Sequence, residues 1–307
     1  MVSRTDRLRP AFNLVELIVV IAILALLAAI TIAGVQSVRT TMARTDCQSR
    51  MRQLAVAAQN HYAAHGHFPP GVDYPFSTSA RQTEINHAGL SWQSSLLPFV
   101  EQDALWRAAW SAHKEVPSGN SPAHDAVAGH SLTAFRCPID GRPIGRFPPG
   151  VADEQPAWGL TNYLGVAGTA LHADDGVLHP NFKPSVGRIT DGTSSTVMIG
   201  ERPTGPDGYG NAWYSGWGTL RYFKGQLLPV DDEWANAPPD RGSCPRVTVF
   251  QSGRADDPCH QRHFWSLHPG GANFAFCDGS VKFLRYSAAD ILPALATRAG
   301  GEVVEAP

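Results

Sequence analysis

FNLVELIVVIAILALLAAITIAGV, residues 12–35, decides how the rest of the chain is read. From Leu17 to Ile30 no side chain is polar, and between Phe12 and Val35 only Asn13, Glu16 and Thr31 break the apolar character. As a helix rising about 1.5 Å per residue, the stretch is roughly 35 Å long, enough to cross a hydrocarbon core of about 30 Å. A core helix of a soluble domain keeps a polar stripe for water, and this one has none. Glu16 is the odd residue. A carboxylate at membrane depth costs on the order of 2.5–3.5 kcal/mol on insertion scales, which marks its position as functional.

Ahead of this segment lies a short basic leader, MVSRTDRLRP, followed by Ala11. A basic leader, a small residue, an aromatic residue and a glutamate four residues further on resemble the class III signal of type IV prepilins and type II secretion pseudopilins. The resemblance implies cleavage between Ala11 and Phe12 by a membrane peptidase, N-methylation of the new amino terminus at Phe12, and an assembly role for Glu16. The ammonium created at Phe12 would neutralise the Glu16 carboxylate of a neighbouring subunit, so that the pair sets register. That family usually carries Gly before the cut and Thr after the Phe, where this chain has Ala11 and Asn13. The implied partners are like subunits or other pseudopilins, met through the N-terminal helix, and the prepilin peptidase/methylase. The implied location is the inner membrane, crossed once, with the amino end cytoplasmic and the head periplasmic or at the cell surface. Charge counting alone does not orient the span, because Arg4, Arg7 and Arg9 precede it and Arg39, Arg44, Arg50 and Arg52 follow it.

The 307 residues, 43% hydrophobic and 17% charged, suit one sizeable globular domain plus an anchor. A net charge of −2 gives no case for nucleic acid as a partner. The 29 glycines and 24 prolines favour a loop-rich head over a helical bundle. Outside the inner membrane, the five cysteines would meet an oxidising space where disulfides persist. Five choices of free cysteine times three pairings remain open. Cys244 with Cys259 is the preferred pair, because it closes a polar local loop. Cys47 with Cys137 would tie the helix to the head, and Cys277, ending an apolar strand, reads as a buried thiol.

Beyond the span, Cys47, Met51, Leu54, Ala58 and Tyr62 recur at spacings of three and four, which predicts one helix from about residue 13 to about residue 65. Gly66 is its natural terminator and Pro69-Pro70 forbids continuation. One face of the amphipathic half should pack on the head, the lollipop plan of pilins. Residues 91–110 read as a helical pair broken near Pro98, and residues 113–130 as a surface loop. TAFRCPID reads as a short strand and turn. From residue 161 onward, short apolar runs between Gly, Asp-Gly and Pro predict β structure, including a turn at Asp191-Gly192 and a strand over 196–201. ANFAFCDGSVKFL predicts two alternating strands, near 273–277 and 280–284, around a two-residue type I′ turn at Asp278-Gly279. Asp290 is placed to cap a last short helix that Gly300 ends.

SWQSSLLPFVEQ, FRCPID, TNYLGVAGT, ITDGTSSTVMIGE, HPGGANFAFCDGSVKFL and ALATRAGGEVV follow one another as the signposts of one large bacterial family. The chain is identified by them as resembling a domain-of-unknown-function family of prepilin-like proteins. At its carboxyl end that family carries His, nine residues, then Asp-Gly, matched here by His268, Asp278 and Gly279. The family often has a proline near the end of the span, where this chain has Ala33-Gly34. The resemblance brings no established enzymatic activity.

Several candidate chemistries compete with plain structural roles. Ser266, His268 and Asp278 could be assembled into a hydrolytic triad, but no Gly-x-Ser-x-Gly elbow is present, and no enzyme is expected. His61, His65 and His67 share a helix end that favours histidine through its dipole. Cys259, His260, His263 and His268 lack the paired spacing of a zinc site. Calcium, held by Asp231, Asp232 and Glu233 or by Asp256 and Asp257, lacks an EF-hand alternation, so no cofactor is expected beyond that candidate. Trp213, Tyr214, Trp217, Tyr222 and Phe223 are either a recognition surface or core strand positions.

The expectation is an α+β, pilin-like fold in which a long N-terminal transmembrane and amphipathic helix carries a β-rich globular head. Its parts are a leader over 1–11, the helix over 12–66 and an extracytoplasmic head over 67–307. The expected role is that of a membrane-anchored pseudopilin-like subunit of a type II secretion or type IV pilus-like assembly. The alternative is an exported, tethered binding protein that captures a polymer or solute.

Overall fold

A computed structural model describes residues 14–73, 89–117, 121–141, 144–146, 157–170, 173, 175–205, 211–216, 227–228, 230, 250–302 and 304. The chain mixes the two structure types, 47% helical and 15% strand. It divides into two compact units, Met1–Arg44 and Thr45–Pro307.

The first unit consists, where described, of the N-terminal part of helix α1 (Leu14–His65). Leu14–Ile32 is long and apolar enough to cross a membrane, and none of it is buried against protein. Thr31 satisfies its hydroxyl by donating to the Ala28 carbonyl at 3.0 Å, so a polar residue is carried without an external partner.

In the second unit the C-terminal part of α1 presents Cys47, Met51, Leu54, Ala55 and Ala58 fully buried, the expected helical stripe. Gly66 ends the helix in the left-handed region at φ +77°, with its N–H donating to the Tyr62 carbonyl at 2.7 Å. There follow β1 (Val72–Asp73), β2 (Gly89–Ser91), α2 (Trp92–Leu96), α3 (Asp103–Glu115), α4 (Pro122–Ala128), β3 (Ile144–Arg146) and β4 (Ala157–Gly159). Next come β5 (Tyr163–Val166), β6 (Val197–Glu201), β7 (Ser215–Gly216), β8 (Leu227–Leu228), β9 (Gly271–Phe276), β10 (Val281–Arg285) and α5 (Leu292–Ala296).

The main sheet runs β10-β9-β6-β5-β8, antiparallel except for the parallel pair β5 and β8. It lies between two apolar clusters. One contains Met51, Leu54, Trp92, Tyr163, Met198 and Ala275. The other contains Leu164, Phe264, Phe274, Phe276, Leu284 and Leu292. With apolar packing on both faces, all six β9 residues are buried, the polar Asn273 included, in place of the predicted in-and-out alternation.

Four local readings are corrected. Residues 113–130 are not a loop: α3 continues to Glu115, and α4 is capped by Ser121, whose Oγ accepts the His124 N–H at 3.4 Å, with Pro122 in the first turn. TAFRCPID opens with a 3-10 turn over Thr133–Phe135 and not with a strand. The hairpin turn is not type I′, since Gly279 has φ +87° while Asp278 has no positive φ. The Gly279 N–H returns to the Phe276 carbonyl at 3.0 Å and Phe276 N–H to Ser280 at 2.9 Å, a three-residue loop closed by a left-handed glycine. Finally, Asp290 does not cap the last helix: a 3-10 segment, Tyr286–Ile291, leads into α5, whose N-cap is Ile291 without a side-chain bond. The helical pair around Pro98 and the strand closing at Glu201 agree with expectation.

Candidate functional site: a buried disulfide, histidine and carboxylate

Four elements converge where α1 meets the head sheet. Cys47 on α1 is bonded to Cys137 across 90 residues of sequence, the pairing that ties helix to head. Cys137 is positioned by its loop. Its N–H donates to Asn162 Oδ1 at 2.8 Å, Arg136 Nη2 donates to the Asp140 carbonyl at 2.6 Å, and Arg50 Nη1 on α1 reaches the Arg136 carbonyl at 2.9 Å. Asp140 Oδ2 in turn accepts Asn162 Nδ2 at 2.8 Å, Thr204 N–H at 3.1 Å and Thr204 Oγ1 at 2.8 Å. The loop is locked.

Glu201 closes β6, and its carboxylate is buried. Asn273 on β9 binds both its oxygens, from the backbone N–H at 2.7 Å and from Nδ2 at 2.9 Å. His268 enters from the turn ahead of β9. Its N–H donates to Ser266 Oγ at 3.0 Å, and that hydroxyl donates to the Gly271 carbonyl at 2.7 Å. Gly270 supplies φ +85° for the turn, and a side chain at Gly271 would meet the Leu284 carbonyl at 2.0 Å. The HPGG run is thus explained by backbone geometry. The His268 imidazole lands with Nε2 3.5 Å from Cys137 Sγ and 3.7 Å from Glu201 Oε1, and its Nδ1 has no hydrogen-bond partner among the described residues. A cavity of about 10 Å³ adjoins the cluster, lined by Cys137, Asp140, Asn162, Glu201 and Ser266 among others.

The motif residues singled out from sequence are not brought together. His268 precedes β9 and Asp278 follows it, so a six-residue strand of roughly 20 Å separates them. Asp278 Oδ1 accepts the Ser280 N–H at 2.8 Å and Gly279 makes the left-handed step, so both serve the hairpin. No triad forms around Ser266. His260 and His263 face each other, Nδ1 to Nε2 at 2.8 Å, with His263 Nδ1 on the Phe264 carbonyl at 3.0 Å, and His268 is not among them. His61, His65 and His67 each direct Nδ1 to a backbone carbonyl at 2.8–3.1 Å. Asp256 pairs with Arg254, and Asp257 caps the Cys259 N–H at 2.9 Å.

Trp213 and Tyr214 are buried, the first bonding the His130 carbonyl at 2.8 Å and the second His124 Nδ1 at 2.8 Å. They are core residues and offer no recognition surface. Cys277 is the buried free thiol expected, and burial raises its pKa well above the usual thiol value. Cys259 is disulfide-bonded, while Cys244, Ala11, Phe12, Trp217, Tyr222, Phe223, Asp231, Asp232 and Glu233 lie outside the described residues. Glu16 lies in the first turn of α1 and is exposed within its unit.

Sequence reading missed Glu201. Its signal was a charged residue ending an apolar strand run, VMIGE. A second feature missed is a surface groove of about 810 Å³ between α1 and the segments near Phe99 and Thr133, with Arg50, Arg52 and Val56 on its helix side.

The family described as "Protein of unknown function (DUF1559)", with the short label SBP_bac_10, matches residues 36–290. The chain belongs to the DUF1559 family. No curated protein and no solved structure matches it. The DUF1559 match takes in Cys47, Cys137, Glu201 and His268 together with Asp278 and Gly279, and it starts after Leu14–Ile32. The apolar segment of this DUF1559 protein must therefore be read on its own physics.

Proposed function

We propose that this DUF1559 protein is a membrane-anchored, pseudopilin-like structural subunit of a type II secretion or type IV pilus-like assembly. The observation that carries the reading is the unburied apolar helix Leu14–Ile32 with Glu16 in its first turn. Large apolar side chains from Leu14 to Ile32 are 45–71% exposed. In water they would forfeit on the order of ten kcal/mol or more, comparable to the whole stability of a domain, so lipid or other helices must cover them. A carboxylate within such a segment needs a cationic partner, and the amino terminus produced by cleavage between Ala11 and Phe12 would supply one. The head then sits outside the inner membrane, where the Cys47–Cys137 bond persists.

Intact-mass measurement of the native protein tests the reading: loss of residues 1–11 plus one methyl group supports it, and an uncleaved chain overturns it. Glu16→Ala should abolish incorporation into the assembly while the head keeps its thermal stability. The groove beside Arg50 and Arg52 favours a second reading, a tethered binding protein. On that reading the chain captures an anionic polymer or solute, and Arg52→Glu weakens the capture.

A further inference from the structure

Among the described residues, one group of metal-ligating side chains has its ligand atoms mutually within 4.8 Å: Cys47, Cys137, Glu201 and His268, all buried. In this structure the two sulfurs are joined as a disulfide. We propose that the reduced, dithiol form of this cluster is a tetrahedral binding site for a zinc-class divalent ion, with one bond each from the two thiolates, His268 Nε2 and Glu201 Oε1. The cluster then has two alternative closures, a disulfide or a metal.

Three features of the site support this. The first is its dimensions. With metal–sulfur bonds of about 2.3 Å and metal–nitrogen or –oxygen bonds of about 2.0–2.1 Å, a tetrahedral site has ligand atoms about 3.3–3.8 Å apart. Cys137 Sγ to His268 Nε2 is 3.5 Å and His268 Nε2 to Glu201 Oε1 is 3.7 Å, which are tetrahedron edges. The second exceeds the roughly 2.7–3.2 Å of a normal N–H···O hydrogen bond, so His268 is not closed onto Glu201, while the first is within hydrogen-bond reach of the larger sulfur atom.

The second is support. Asn273 fixes both Glu201 oxygens, Asn162 fixes the Cys137 backbone and Ser266 fixes the His268 backbone, the kind of outer shell that orients metal ligands. The third is charge. Two thiolates and one carboxylate around a dication leave one net negative charge, compatible with a soft-ligand zinc site.

Opening the cluster needs a dithiol reductant delivered to the oxidising side of the membrane, where the proposed function places the head and where the disulfide is the resting form. The reductant's two thiols become a disulfide, the Cys47–Cys137 bond breaks, and the two hydrogens pass to the cysteine sulfurs. Metal binding then releases those two protons to solvent, since thiolates are the ligands. Re-oxidation by a disulfide-bearing oxidant reverses the exchange and expels the ion.

The test uses the full chain in detergent with Cys244→Ser, Cys259→Ser and Cys277→Ser, which leaves Cys47 and Cys137 as the only cysteines. After anaerobic reduction, cobalt(II) is titrated as the probe and zinc(II) as its competitor. The expected result is one equivalent bound, with a thiolate-to-cobalt charge-transfer absorption that zinc abolishes, and no binding by the oxidised chain. His268→Ala and Glu201→Gln should each weaken binding at least about tenfold. The proposal is overturned if the reduced chain takes up no more cobalt than the oxidised one. It is equally overturned if both ligand variants bind as tightly as their parent, which would leave a bare dithiol chelate. If reduction unfolds the chain, the metal should restore its circular dichroism, and failure to do so counts against the site. The same titration of the natural sequence, compared with Cys47→Ser, gives an independent reading should the three serine substitutions disturb folding.

Discussion

Asn273 holds Glu201 by both oxygens, its backbone N–H 2.7 Å from Oε2 and its side-chain Nδ2 2.9 Å from Oε1. The two residues lie one step beyond the Gly200↔Phe274 pairing of β6 and β9, so the sheet's own register delivers the carboxylate to its donors. A buried charge is tolerated there because the strand partner satisfies it.

Glu201→Gln keeps the shape but leaves one acceptor oxygen for two donors, setting an amide N–H against another. The expected cost is about 1–3 kcal/mol. In thermal unfolding the head should melt several degrees lower, at about 2–4 °C per kcal/mol for a domain of this size. An unchanged melting temperature would show that Asn273 does not depend on the charge.

The Cys47–Cys137 bond closes a long loop, spanning 90 residues of sequence. A Cys47→Ala, Cys137→Ala double variant should lose about 2–5 kcal/mol, read as a lower urea midpoint with a steeper slope, because the uncrosslinked denatured chain exposes more surface. A midpoint equal to that of the parent would mean that helix and head are held by packing alone.

Two histidines make stability fall in mild acid. Burial holds His263 down at about 4, helped by the charges of His260 and Arg202, and burial likewise lowers His61 to about 4. Between about pH 6.5 and 4 the unfolded chain takes up protons that the folded chain excludes. Their contribution is therefore fully present above about pH 6.5 and is lost as the pH falls towards 4. Melting temperature measured from pH 7 to pH 5 should drop less steeply in His263→Asn than in the parent. Equal slopes would remove His263 from the account.

Trp213 lies wholly inside the core, against Phe135 and Tyr214 at ring separations of 5.5 Å. Trp213→Ala should cost about 3–5 kcal/mol of stability by opening a cavity. A variant that kept full stability and lost a ligand instead would return this residue to a recognition surface.

Much of the helical plan was legible because helices write their packing at a period of 3.6. The stripe Cys47, Met51, Leu54, Ala58, the stop at Gly66 and the break near Pro98 all follow from local chemistry and all stand in the structure. Residues 113–130 depart from their loop-like composition for a physical reason too. Their polar composition suggests a loop, yet His113 and His124 are buried by a partner distant in sequence: Tyr214 Oη lies 2.8 Å from His124 Nδ1 and 3.3 Å from His113 Nδ1. A histidine carries no mark of the tyrosine that will pair with it ninety residues later.

The motif residues show the same division. Asp278 and Gly279 were legible as a turn, and a turn is what they make. That His268 instead meets Cys47, Cys137 and Glu201 could not be read from spacing, because these residues come from a helix, a loop, a strand end and a pre-strand turn.

By itself the sequence determined the apolar helix that opens the chain, its single carboxylate and the stripe with which the helix meets the head, since these depend on neighbours within one or two turns. Only the tertiary structure decided which cysteines pair, that Trp213 is core, and that a disulfide, a histidine and a carboxylate share one buried site. Those outcomes depend on strand register and on loop closure over tens of residues, and local composition carries no record of either.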